Sequence, residues 1–469
     1  MSAKPIFVGG ASSHAGKSWM TTAICAYLKR RGCRVAPFKA QNMSNNSFPC
    51  PEGGEIGRAQ VAQAEACGIE PHPDMNPILL KPNSETGSQI VLNGKVWGDL
   101  RARDYYSHFD FFLNQVLDAY SRLAARFDYV VLEGAGSVAE LNLKSRDLVN
   151  LGLAKRIGAP AILVGDIDRG GVFAQIAGTM WLLDEDERAL VRTFAVNKFR
   201  GDRSLFDDGV RILEEKTGRP CLGVFPFARE IHLDAEDGVS FEEANEKPAP
   251  TIAKRVAIVA LPHISNLTDF RLLAAARRVT QPVPDQFDAV FLPGSKATMA
   301  DLAWMRSRGL DAWVHDQHAG GATVIGVCGG YQMMGERIDD PHRVESRAES
   351  AAGLGLLPVQ TTMRREKTTR AVKARTASGI EFDAYEIHMG ETERTREVEP
   401  FVRLGDGALD GAVVGRCIGT YLHGALENRA VLSELLGCEV EAAESKAAHY
   451  GRLADWFESN ADLELFERL

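Results

Sequence analysis

"VGGASSHAGKS", Val8 to Ser18, joins an apolar run to a helix-forming one through a turn of glycine and small residues, and it ends in Gly16-Lys17-Ser18. That order is what a phosphate loop requires. Turn amides and the N-terminus of the following helix cradle phosphate oxygens, the lysine adds a positive charge, and the serine hydroxyl can hold Mg²⁺. The preceding strand is "PIFVG" (5–9), and the helix runs through "WMTTAICAYLKRR" to Gly32, a residue suited to the left-handed turn that closes a helix. Five residues separate Gly10 from Gly16, and Ala11 stands where the first glycine of the usual loop falls. Gly10, Gly16, Lys17 and Ser18 are the expected ATP-binding residues of the loop.

Outward from the loop, apolar runs recur at crossover spacing: "RVAPF" (34–38), "DYVVLE" (128–133), "PAILVG" (160–165), "RTFAVN" (192–197) and "PCLGVF" (220–225). Near-continuous apolar strands with helical stretches between them predict a doubly wound α/β domain over residues 1–240. Phe241 to Lys254, "FEEANEKPAPTIAK", is acidic and then proline-bearing, and reads as a linker. A second α/β rhythm, "RVAIVA" (255–260), "AVFLPG" (289–294) and "ATVIGV" (322–327), opens a domain over 255–469. The longer phosphate loop resembles that of dethiobiotin synthetase and its relatives, which implies that kind of nucleotide-binding domain for the N-terminal half.

Composition narrows the function. The 469 residues are 45% hydrophobic and 25% charged, as in a globular protein. A net charge of −9 argues against nucleic acid as a partner, and no apolar run is long enough to cross a membrane, so a cytoplasmic protein is expected. The eight cysteines show no CxxC pair, hence neither a zinc site nor a disulfide framework. The oligomeric state stays open, a homo-oligomer included.

Other residues follow strands at the carboxyl edge, where α/β sheets bind ligands. Glu133 in "LEGAGS" can join Ser18 on Mg²⁺, with Glu55 of "GGEIGRAQ" as a third metal group. Asn197 and Lys198 in "VNKFRGD" are placed at the nucleotide, Asn197 against the purine edge. Adenine is preferred, because position 200 is Arg and the guanine-reading acid is missing.

In the second half, "VIGVCGGYQMMG" (324–335) places Cys328 at the end of an apolar run and before two glycines. Strand, sharp small-residue turn and helix make a nucleophile elbow with sulfur in place of hydroxyl. The Gly329 amide points to where an oxyanion would form, and a second donor is expected at Gly294 or Ser295 in "LPGSKAT". His423 in "GTYLHG" (419–424) is the candidate base.

These features resemble the class I glutamine amidotransferases, in which a Cys-His pair strips ammonia from glutamine. That class carries a glutamate two residues after the histidine, where this chain has Ala425, so the resemblance points to the corrinoid amidase branch with an unassisted Cys-His dyad. "KAQNMSNNS" (39–47), "EIGRAQVAQAEA" (55–66), "MNPILLKP" (75–82), "GDIDRGGVFA" (165–174) and "YEIHMG" (385–390) look like that branch over nearly the whole chain. The resemblance implies ATP-dependent amidation of the b, d, e and g carboxylates of adenosylcobyrinic acid a,c-diamide to adenosylcobyric acid, with ATP and Mg²⁺ as cofactors and glutamine and a corrinoid as partners. Lys39, Asn42, Arg58, Asp168, Arg169, Tyr385 and His388 are then expected at the substrate. Lys81 and Arg200 lie beside the same motifs, and the basic run Arg364–Arg375 reads as a solvated, strand-rich face.

Three other readings compete. The sister enzyme that makes the a,c-diamide lacks the "KAQNMSNNS" text. A non-enzymatic ATPase switch would carry an additional lysine early in its loop and has no use for an elbow cysteine. An amidotransferase acting on another acceptor, such as a cell-wall precursor, would bind no corrinoid.

Overall fold

The computed structural model describes residues 3–82, 87–228, 230–231, 252–346, 348–441 and 444–469. The N-terminal half is built on a six-stranded sheet whose order is Cys221–Pro226, Val191–Phe199, Ala161–Asp166, Lys4–Gly10, Tyr129–Glu133, Val35–Phe38. Every neighbouring pair is parallel. These are the six expected strands, and they are buried on both faces because helices cover both. The register sets Val8 opposite Glu133, so the phosphate loop and the Glu133 loop leave the sheet side by side.

Gly16 takes φ 91°, a left-handed conformation that L side chains avoid, and starts the helix Lys17–Arg30. Gly32, at φ 82°, turns the chain after that helix, as expected. A mixed addition that the sequence reading did not foresee follows: Gln41–Met43, Ile78–Pro82, Gly87–Leu92 and Lys95–Arg101 form a four-stranded sheet, parallel in its first pair and antiparallel in the other two.

The second sheet runs Arg277–Val279, Val256–Val259, Ala289–Leu292, Thr323–Val327, Cys417–Thr420, Ala412–Val414, parallel except for the last pair. Beside it stands a long hairpin, Val359–Thr376 with Glu381–Arg394. The two folds are the α/β pair that the sequence predicts.

Most of the linker, residues 241–251, lies outside the described residues. One packing relationship cuts across the expected 255–469 unit. The helices Lys446–Asn460 and Leu463–Glu467 leave the second sheet and pack on the first helix of the N-terminal half. Leu453, Trp456, Phe457 and Phe466 share a core with Met20, Ile24 and Tyr27, and the Tyr27 and Phe457 rings lie 5.3 Å apart. Among the described residues no helix is long and apolar enough to cross a membrane.

Candidate active sites

At the carboxyl edge of the first sheet, Ser18 Oγ donates to Glu133 Oε1 at 2.7 Å and Lys39 Nζ donates to the same oxygen at 3.0 Å. Gln63, on the helix Arg58–Cys67, donates to the other oxygen. Glu133 is 1% exposed. Burial alone would raise its pKa, but the Lys39 charge and the Ser18 and Gln63 hydrogen bonds hold the carboxyl below its ordinary value. Lys17 Nζ reaches Gly136 O at 2.7 Å and Ser12 O at 3.3 Å, spanning the loop it would share with phosphates. A Cβ at Gly10 would lie 2.8 Å from that amine, so the glycine keeps the lysine's corridor open.

Asn197 departs from the expected purine contact. Its Nδ2 donates to Ala15 O at 2.9 Å and its Oδ1 accepts from Lys198 N at 2.8 Å, so each end of the amide makes a bond to backbone. It braces the phosphate loop from below. Lys198 Nζ donates to His14 O (2.8 Å) and pairs with Asp166 (2.9 Å). Asp168 is paired with Arg200, whose guanidinium covers the Phe227 ring, and Arg169 is exposed in the adjoining turn.

Glu55 also departs from expectation. It is not brought to Ser18 and Glu133 but is held by Lys81 (2.6 Å), Ser47 (2.7 Å) and Lys367. Burial would raise the Glu55 carboxyl, and Lys367 and Lys81 outweigh it, holding it far below the carboxylate range. Burial pushes Lys81 down to about 7, against the raising effect of Glu55. Lys367 belongs to the basic run read as a solvated face; this one member instead turns inward across the seam between the halves. Among the described residues no group of three His, Cys, Asp or Glu could hold a metal.

The second site forms where the strand Thr323–Val327 ends. Cys328 has φ 51°, ψ −109°, a conformation costly for any residue but glycine, and the helix Gly329–Met334 follows at once. The elbow needs its glycines: a Cβ on Gly330 would sit 2.0 Å from Leu292 O. The Ser295 amide lies 2.8 Å from where a Cβ of Gly329 would be, so the "LPGSKAT" turn flanks the elbow. Gly294 instead approaches the base, since a Cβ there would be 3.1 Å from His423 Cε1.

His423 is fully buried and does not lack an acid. Its Nδ1 donates to Asp269 Oδ2 at 2.7 Å, and the other carboxylate oxygen accepts from Gly424 N at 2.7 Å. This corrects the unassisted dyad: the orienting carboxylate arrives from a different loop. Asp269 lies in "NLTDF", where a single acid in a turn carries no signal in the sequence. Burial tends to lower the His423 pKa, but the Asp269 charge and hydrogen bond, with the Cys328 thiol adding to them, push it up to about 10. With Nδ1 committed, Nε2 remains for the thiol.

Tyr385 pairs its backbone with His423 in both directions (3.0 and 2.9 Å) and stacks on the imidazole at 5.2 Å. His388 is tied through Nδ1 to Gly390 O (2.7 Å) and lies 3.8 Å from the Tyr421 ring. Both support the cysteine site. Arg58 lies under the Phe48 ring, 3.7 Å from Glu427, and Asn42 donates to Gln60 at 2.9 Å. A cavity of about 410 Å³ opens between Phe48, Arg58, Tyr385, Gly424, Glu427 and Lys446.

Comparison with known proteins gives two family matches. Residues 6–241 match the CobQ/CobB/MinD/ParA nucleotide binding domain, and residues 255–431 match the CobB/CobQ-like glutamine amidotransferase domain. The chain is 44% identical, over 100% of its length and 98% of the relative's, to the cobyric acid synthase of Syntrophobacter fumaroxidans. It is 43% identical, over 98% and 97%, to that of Parabacteroides distasonis.

Proposed function

The chain belongs to the cobyric acid synthase family, a glutamine-dependent amidotransferase ligase of cobalamin biosynthesis, and from that premise we propose how its residues divide the reaction. The substrate is adenosylcobyrinic acid a,c-diamide, whose b, d, e and g carboxylates are converted to amides. Each conversion needs an activated acyl group and a molecule of ammonia, and the two halves supply one each.

Cys328 Sγ attacks the glutamine side-chain carbonyl. Gly329 and Ser295 amides, with Gly294 beside the base, take the oxyanion. His423, held by Asp269, passes a proton to the departing ammonia, and water then cleaves the thioester to glutamate. On the other side, ATP supplies the phosphoryl group that makes the acyl phosphate, with Mg²⁺ offsetting charge on the phosphates.

The donor set fits that group. A cradle of glycines around an aimed lysine suits phosphate, and the oxygens of Ser18 and Glu133 suit a hard cation. Lys17 would hold the transferred phosphate, and Ser18 and Glu133 would hold the cation, which would offset charge on the phosphates. Lys39 and Gln63 keep Glu133 ionised and aimed. Ammonia adds to the acyl carbon and phosphate leaves.

One observation carries this reading: an elbow cysteine with a buried His-Asp pair shares one chain with a phosphate loop whose lysine is pre-aimed. Incubation with the a,c-diamide, ATP, Mg²⁺ and glutamine tests it, with mass spectrometry following stepwise replacement of carboxylate by amide. No mass change on the corrinoid would refute the substrate.

A further inference from the structure

Three consecutive residues of the nucleotide-binding half, Asn46, Ser47 and Phe48, reach across the seam to the supports of the catalytic histidine. Asn46 Oδ1 accepts from Leu267 N at 3.2 Å, and Asn266 Oδ1 accepts from Ser47 N at 3.1 Å. Each asparagine thus bonds the backbone beside the other, one bond in each direction. Both are 4% exposed.

Asn266 starts the short helix Leu267–Leu273 that carries Asp269, and Asp269 N donates to Asn266 O at 3.1 Å. Its φ of 53° is left-handed, a conformation that surrounding contacts must hold in place. Phe48 packs on Tyr385 at 4.7 Å, and Tyr385 in turn stacks on His423. The acid and the imidazole therefore each rest on one end of the same three-residue stretch, which leads into the strand Ser47–Pro49. The segment containing that stretch begins at Lys39, on the carboxylate of Glu133.

Burying an amide side chain is unfavourable unless its oxygen finds a donor. In both of these hydrogen bonds the donor belongs to the opposite half, so the bonds form only when the halves are docked. They place the start of the Asp269 helix relative to the seam.

We infer that Asn46 and Asn266 are positioning residues for glutamine hydrolysis, setting the place of Asp269 and through it the His423 imidazole. The inference rests on the glutaminase reading above. The docked nucleotide-binding half thereby completes a site whose reacting atoms all lie in the other half.

Asn266→Gly keeps the left-handed backbone and removes one acceptor; Asn46→Ala removes the other. In the full chain each is expected to lower kcat for glutamine hydrolysis about tenfold, the scale of one lost hydrogen bond, with KM for glutamine within about twofold. The alkaline limb of the pH profile moves to lower pH, because His423 loses part of the support that raises its pKa. Amidation driven by ammonium salts stays within about twofold of the parent. Unchanged kcat and pH profile in both variants would overturn the inference. So would parallel loss of ammonium-driven amidation, which marks a structural role. A parent protein that hydrolyses no glutamine would instead refute the glutaminase reading itself.

Discussion

His423 and Asp269 share a 2.7 Å hydrogen bond across 154 residues of sequence. The pair is buried, so the aspartate acts on the imidazole with little screening. Asp269→Asn keeps the shape and removes the charge. Glutamine-dependent amidation is expected to fall on the order of 10²-fold or more, with ammonium-driven amidation retained. A variant with parental glutaminase would show that the imidazole needs no acid.

The same pair sets a pH dependence of stability. The folded pKa of His423 is raised to about 10, well above its ordinary value in the unfolded chain of about 6.5. Its contribution is therefore complete below about pH 6.5 and lost as pH rises through about 10. Thermal midpoints of the parent should decline across that window relative to Asp269→Asn. Parallel curves would count against the ion pair.

Cys328→Ala should abolish amidation driven by glutamine and spare amidation driven by ammonium salts at alkaline pH. Lys17→Ala should abolish both, since the lysine proposed to hold the transferred phosphate is needed before an acyl phosphate can form. Assaying both nitrogen sources with both variants separates the two chemistries. Full glutamine-dependent activity in Cys328→Ala would leave the elbow as a packing feature.

Glu133→Gln removes the charge that Lys39, Ser18 and Gln63 hold in place. Phosphoryl transfer should fall at least about 10²-fold while glutamine hydrolysis stays measurable. Normal ADP release during turnover would take Glu133 out of the nucleotide site.

Glu55→Gln tests the buried cluster at the seam. Removing the carboxylate that Lys81 and Lys367 share takes away the group that raises Lys81, so Lys81 sheds its proton, and Lys367 loses the counter-charge it pairs with. A neutral Lys81 offsets part of the cost of breaking the buried pair, and the thermal midpoint should still drop by a few degrees. An unchanged midpoint would mean that the lysines find other partners.

What could be seen in the sequence follows from how local each feature is. The phosphate loop and the cysteine elbow are legible because strand, turn and helix must be consecutive, and the glycines that relieve their crowding are adjacent residues. The six parallel strands show through because burial on both faces leaves unbroken apolar runs. Asp269 was hidden, since it meets His423 only after two distant loops converge. Glu55 was misplaced for the opposite reason: it stands next to a nucleotide-side motif in the sequence, yet Lys367 reaches it from the hairpin of the other half. Asn197 kept its expected position at the strand end, but its amide serves the loop backbone.

The packing of Trp456, Phe457 and Phe466 against the first helix bears on how the protein is made. That helix follows the phosphate loop directly, and one of its faces stays uncovered until residues 446–469 have left the ribosome. Each large side chain buried there is worth about 1.5–3 kcal/mol, a large share of a domain's net stability. A nascent chain that has emitted only the nucleotide-binding half therefore holds an unfinished core, and chains stalled before residue 446 should be sensitive to proteases and bind ATP poorly. Protease resistance and ATP binding should therefore appear only once residues 446–469 have been synthesised.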